Sequence, residues 1–217
     1  MVRMSKNPKG STSYKETTFG IIPRSRLLKL ELQGIKRGLE FIGDLVGKNK
    51  EIKITPELIC ELHKTSFGWI FPDWAGKYRI VQVTISGKEA PSFYMVPELM
   101  VNLCEDLAER LKSLPGPQKN QFIVEVVKIL AWFQHRFVFI HPFKDYNGRT
   151  ARMFTILLLL KFGLPPVEIR AEKGVDRKKY IKALQVADEG NFSELENIIT
   201  HALNEGFSKI LSQKGKQ

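Results

Sequence analysis

The chain has 217 residues, 43% hydrophobic and 26% charged, which suits one globular domain with an ample core. No apolar run reaches the roughly 20 residues of a membrane-spanning helix; the longest, Phe154 to Leu160, meets Lys161 at once. A net charge of +11, from 34 Lys and Arg against 23 Asp and Glu, favours anionic partners. The lysines are scattered and no zinc-finger or RNA-recognition signature occurs, so nucleic acid is left open but not favoured.

Residues 1–22 are rich in Lys, Ser, Thr and Gly, and are expected to form a flexible basic arm. The first fifteen lack the apolar core of a secretory signal, so cytoplasmic residence is the expectation. A single domain should span 23–212, with 213–217 a frayed tail. After Pro23 its first helix should run to about Val46, with Leu27, Leu28, Leu30, Leu32, Ile35, Leu39 and Ile42 apolar. Gly34, Gly38 and Gly43 either weaken that helix or let a neighbour approach closely. Thr55-Pro56-Glu57 signals a second helix start, and His63 within that helix reads as a partly buried structural histidine.

Phe71 to Tyr78 breaks the helical pattern. Arg79 to Ile85 then alternates, Gly87-Lys88 marks a turn, and Ser92 to Val96 can return, which together predict a surface β-hairpin. A helix from Pro97 to Leu114 follows, stopped by Pro115-Gly116-Pro117. Cys60 and Cys104 lie in amphipathic helices and read as small hydrophobes, not as a disulfide or metal pair. Late in the chain, Asp176 should cap a helix carrying Tyr180, Ala183 and Ala187. Ser193 and Glu196 have capping-box spacing ahead of a last helix to about Leu211.

The chemistry concentrates in His141-Pro142-Phe143-Lys144-Asp145-Tyr146-Asn147-Gly148-Arg149-Thr150-Ala151-Arg152. Phe122, Val126, Ile129, Leu130, Phe133 and Phe137 predict a helix that ends by His141, because a residue before proline leaves the α region. Met153 to Phe162 is apolar nearly all round and predicts a buried helix, beginning near Asn147 or Gly148. A helix start offers unpaired N–H groups and partial positive charge to phosphate. Arg149 and Arg152 share one face of its first turn and can clamp phosphate oxygens. Asp145 is a hard oxygen ligand of the kind Mg²⁺ accepts beside nucleotide phosphates. Asn147 can donate to an oxyanion, Gly148 admits a close backbone approach, and His141 can take a proton near pH 7. Taken singly these would be a helix-end histidine and a solvated basic face; their joint spacing points to phosphoryl or nucleotidyl transfer.

The string resembles the Fic motif, H-x-F-x-[DE]-[GA]-N-[GK]-R-x-x-R, at His141, Phe143, Asp145, Asn147, Gly148, Arg149 and Arg152. Tyr146 departs from it, standing where the family has Gly or Ala; a tyrosine needing positive φ there would be strained. The segment Trp74-Ala75-Gly76 with Arg79 is similar to one that precedes the flap in Fic proteins. The resemblance implies a mainly α, Fic-like helical bundle with a short β-hairpin flap, and transfer of AMP from ATP, with Mg²⁺, to a Ser, Thr or Tyr hydroxyl of a target protein. It implies His141 as general base, Asp145 as the metal ligand, and Phe143, Asn147, Gly148, Arg149 and Arg152 as nucleotide-binding. Val81, Gln82, Val83, Thr84 and Ile85 would be the flap that docks the target. Gly148 in place of Lys favours AMP transfer over the phosphotransfer of the Doc branch. The reverse hydrolase, a phosphotransferase and an inactive binding module stay open, as do a separate regulatory protein and oligomerisation. Many Fic proteins carry an inhibitory [ST]-x-x-x-E-[GN] helix whose glutamate pairs with the last arginine. Glu205 has His201 at the Ser/Thr position, Glu16 has Thr17 after it, and Glu31 sits in a core helix, so Arg152 is expected to have no strong intrachain inhibitor.

Overall fold

The computed structural model describes residues 14–48, 51–85 and 87–214. They form a mainly helical bundle: β1 (Tyr14–Thr17), β2 (Gly20–Pro23), α1 (Arg24–Lys48), α2 (Pro56–Phe67), β3 (Thr84–Ile85), β4 (Lys88–Glu89), α3 (Val96–Lys112), α4 (Phe122–Ile140), α5 (Asn147–Lys161), α6 (Gly174–Ala187) and α7 (Ser193–Lys214). No helix among these residues is long and apolar enough to cross a membrane.

The centre is the antiparallel pair α4–α5, with α1 and α2 against α5 and with α3 and α7 against α4. Phe133, Phe137, Phe154 and Leu158 are fully buried, and Phe133 stacks on Phe154 at 5.0 Å, so aromatic rings fill the α4–α5 seam. Gly34 and Gly38 face α2: a Cβ on either would collide with Ser66, whereas one on Gly43 would meet open space. The first two glycines therefore serve close packing, and the third does not. Thr55 caps α2 as expected, its hydroxyl accepting the Leu58 N–H at 3.3 Å with Pro56 opening the helix.

Four expectations are revised. Residues 14–23 are not an arm but an antiparallel hairpin, Tyr14 opposite Pro23, turned at Thr18–Phe19 with Gly20 leaving the turn at φ of 79°. Thr18 fastens it to the Ile70 carbonyl through its N–H at 2.9 Å; residues 1–13 lie outside the described range. The flap is shorter than the alternation predicts, since only Thr84↔Glu89 and Ile85↔Lys88 pair. Arg79, buried to 3% exposure, is drawn instead toward the loop after α4, and Phe93–Met95 coil into a 3₁₀ turn that leads into α3. Helix α6 starts at Gly174, two residues before the expected cap, leaving Asp176 in its first turn where a negative charge suits the helix dipole. At the start of α7, Asn191 accepts the Ser193 N–H at 3.1 Å and its hydroxyl at 2.7 Å, so the Ser193–Glu196 box is replaced by an asparagine cap. That helix continues through Lys214; of the expected tail, residues 215–217 lie outside the described range.

Candidate active site

Helix α4 ends where the His141 N–H reaches the Phe137 carbonyl at 3.0 Å, and α5 begins at Asn147. The six residues between them, 141–146, turn the chain sharply. His141 and Tyr146 at its two ends take left-handed φ of 51° and 61°, the non-glycine residues that do so among those described. Apart from Gly, residues rarely occupy that region; Asn, Asp and His do so more readily than others, so Tyr146 is the more strained of the two and points to a functional constraint.

The surroundings explain how a tyrosine is held there. The Tyr146 N–H bonds to Asp145 Oδ1 at 2.7 Å, and its hydroxyl donates to Glu31 Oε1 at 2.8 Å. Its ring stacks on Phe67 at 4.2 Å and on Trp74 at 6.0 Å. Asn147 spans the loop, accepting the Phe143 N–H and donating to the Phe143 carbonyl, both at 2.8 Å. Beneath the loop, His63 is fully buried rather than partly so. It accepts the Gly76 N–H at Nδ1 (2.8 Å), which leaves Nε2–H to donate to the Asp145 carbonyl at 3.1 Å. Its ring stacks on Phe143 at 3.9 Å, and burial pushes its pKa down to about 4, so it stays neutral. Arg79 completes the brace. Its N–H bonds to the Pro142 carbonyl and its Nε to the His141 carbonyl, each at 2.8 Å.

Above the loop lies a cavity of about 680 Å³, lined by His141, Asn147, Gly148, Arg149, Arg152 and Tyr180. His141 donates Nδ1–H to the Val138 carbonyl at 3.3 Å, leaving Nε2 as the basic nitrogen. Burial lowers its pKa, the Arg79 charge adds to this, and the Val138 carbonyl and Asp145 oppose it; the imidazole is neutral and able to accept a proton. For Asp145, burial alone would raise the pKa. The Lys15 ammonium on Oδ2, the Tyr146 N–H and the Arg149 charge prevail and hold it below the usual carboxylate range. Gly148 leaves space: a Cβ there would stand 3.2 Å from Arg152 Nη1.

The arginines are not bare. Arg149 reaches Glu31 Oε2 at 2.7 Å and Glu172 Oε2 at 3.0 Å, while Arg152 pairs with Glu172 Oε1. Arg152 thus has an intrachain carboxylate partner, and it is none of the glutamates singled out in the sequence. Glu205 pairs with Arg170 at 3.1 Å, and Glu16 is exposed on β1.

The structure therefore gathers His141, Asp145, Asn147, Gly148, Arg149 and Arg152 on one cavity. Phe143 instead lies fully buried under the loop, its backbone groups taken by Asn147. Of the flap, Ile85 reaches the cavity rim, Val81 is exposed, and Val83 accepts the Ala90 N–H at 3.0 Å. Thr84 pairs with Glu89, and the Gln82 amide bonds to the Ala90 carbonyl. Cys60 and Cys104 are free thiols, with burial raising both and taking Cys104 to about 12. No group of three or more His, Cys, Asp or Glu among the described residues could hold a metal unaided. A single carboxylate suits Mg²⁺, which draws its other oxygens from phosphate and water. Sequence reasoning missed the part played by His63, Arg79, Glu31 and Glu172; Arg79 alone carried a signal, as the arginine after Trp74-Ala75-Gly76.

A cleft lined by a helix start, two arginines and a neutral histidine thus lies on a mainly helical core beside a small flap. Residues 53–159 match the model of the Fic/DOC family, and the chain carries a domain of that family. It is 31% identical over 178 residues to protein adenylyltransferase Fic of Nematostella vectensis, covering 81% of this chain and 38% of that protein. Protein adenylyltransferase Fic of Aedes aegypti is 34% identical over 180 residues, covering 82% of this chain and 33% of the relative. The chain thus spans about a third of the length of these relatives. Fic-1 of C. elegans (residues 134–508) superposes with a TM-score of 0.65 at 25% identity, over 86% of this chain and 52% of that one.

Proposed function

We propose that this protein is an adenylyltransferase that moves AMP from ATP to a Ser, Thr or Tyr hydroxyl of a target protein. The observation that carries the reading is the convergence of the basic Nε2 of a neutral His141 and the Arg149–Arg152 pair on one cavity. His141 Nε2 removes the hydroxyl proton, the freed oxygen bonds to the α-phosphorus, and the α–β bridging bond breaks with release of pyrophosphate. The N-terminal amides of α5, at Gly148 and nearby, face the α-phosphate, with Asn147 holding the loop in shape for them. Arg152, supported by Arg149, takes the β- and γ-phosphates once they displace Glu172. Asp145, after exchanging its Lys15 partner, would hold Mg²⁺, which supplies neutralising charge at the departing pyrophosphate. Residues Val81 to Ile85, paired as strand at Thr84 and Ile85, would dock an extended segment of the target by strand addition.

Incubation with Mg²⁺ and ATP labelled at the α- or the γ-phosphate tests this. Protein-bound label from the α position alone is the expected result. Label from γ would make the protein a phosphotransferase, and none from either would make it a binding module. Release of AMP from an already modified target, with no forward transfer, would make it the reverse hydrolase.

A further inference from the structure

We infer that Arg24 is a third phosphate-binding arginine of this cleft, held beside Arg149 by the buried carboxylate of Glu31. The inference rests on the nucleotide reading above and extends it to a residue more than a hundred positions from the motif. Arg24 opens α1 and lines the same cavity as Arg149 and Arg152. Its Nη1 lies 2.6 Å from Glu31 Oε1, and its side chain keeps 40% of its exposure.

Charge compensation does not account for it. Glu31 is 1% exposed, and its single negative charge already meets Arg149 at 2.7 Å and the Tyr146 hydroxyl at 2.8 Å. Arg24 is a further cation on an acceptor that is already matched. A guanidinium has five N–H donors, and Glu31 is the only hydrogen-bond partner of Arg24 among the described residues. The remaining donors are left for something that enters the cavity.

The order of charges places that ligand. Arg24 and Arg149 share Glu31, and Arg149 and Arg152 share Glu172, so three guanidiniums stand in a row against two carboxylates. The row holds a net +1 before any ligand arrives and +2 once phosphate displaces Glu172. With the α-phosphorus fixed next to His141, such a row fits the distal end of a triphosphate. Glu31 acts through its partners: it is a positioning residue, and Arg24 is the group that touches phosphate.

Calorimetric titration of the full chain, with Mg²⁺ present, can test this using ATP, AMP and inorganic tripolyphosphate. Arg24→Ala should weaken ATP and tripolyphosphate about tenfold or more, the size of one charge-assisted hydrogen bond, and leave AMP within about twofold. Arg24→Lys should recover part of the loss, because it keeps the charge without the fork. Both variants should melt close to the parent, since the half-buried Arg24 is not needed to neutralise Glu31. Unchanged ATP affinity in Arg24→Ala, or equal weakening of ATP and AMP, overturns the role of Arg24 alone. Absence of ATP binding by the unaltered chain would overturn the nucleotide reading and this one with it.

Discussion

The two faces of the loop between α4 and α5 are built from opposite materials. Its underside is dry and permanent: His63, Arg79 and Asn147 are buried and bonded to loop backbone, while Glu31 grips the Tyr146 hydroxyl. Its upper side is wet and exchangeable. There Lys15 on Asp145 and Glu172 on the arginines keep 40% and 48% of their side-chain exposure. Ion pairs as open as these contribute roughly 0–1 kcal/mol, whereas removing one partner of a buried pair costs about 3–5 kcal/mol. Rigid geometry below and replaceable counter-ions above are what a site needs when the incoming ligand is itself an anion with a cation.

The contrast can be broken most severely from its catalytic edge. His141→Ala should cut α-label transfer by about 10²–10⁴-fold while leaving ATP affinity nearly unchanged; a small loss would remove the histidine from the base role. The pH dependence carries the same sign. Because burial lowers the His141 pKa, activity should persist to lower pH than an ordinary histidine base would allow, and fall once the imidazole protonates.

Next comes the underside. Glu31→Ala leaves Arg149 without its buried partner and should lower stability by about 3–5 kcal/mol in urea unfolding. His63 adds an acid sensitivity. Its pKa is about 4 when folded against 6.5 when free, so its contribution is fully present above pH 6.5 and is lost as pH falls toward 4. The difference is on the order of 3 kcal/mol, and His63→Gln should flatten stability across that window.

The smallest effects belong to the upper side. Glu172→Ala should tighten ATP binding a few-fold and barely move the melting temperature, because its carboxylate competes with phosphate for the two arginines. Weaker ATP binding in that variant would mean that Glu172 aims the arginines instead. Lys15→Ala should change stability by less than about 1 kcal/mol.

The same contrast governs what the sequence can disclose. The helices were legible from apolar periodicity, and the cavity residues of the loop from their packing into twelve consecutive positions. Glu31 and Glu172 were not, since their pairing with Arg149 depends on how α1 and the segment after α5 come to rest against the loop. Glu31 looked like one more residue of a core helix because burial and function coincide there. The flap was overdrawn for a related reason: Arg79 to Ile85 alternates like a strand, but bonding of Arg79 to the loop overrides local preference. The hairpin at residues 14–23 shows no alternation at all, and it is held by its turn and by Thr18.

Gly34 and Gly38 tie the bundle's assembly to its ligand affinity. They sit one and two turns beyond Glu31, at the seam where α1 lies against Ser66. A methyl group at either position would wedge the two helices apart and carry the carboxylate away from Arg149 and the tyrosine hydroxyl. Thermal resistance and triphosphate recognition would decline together, from an alteration touching neither.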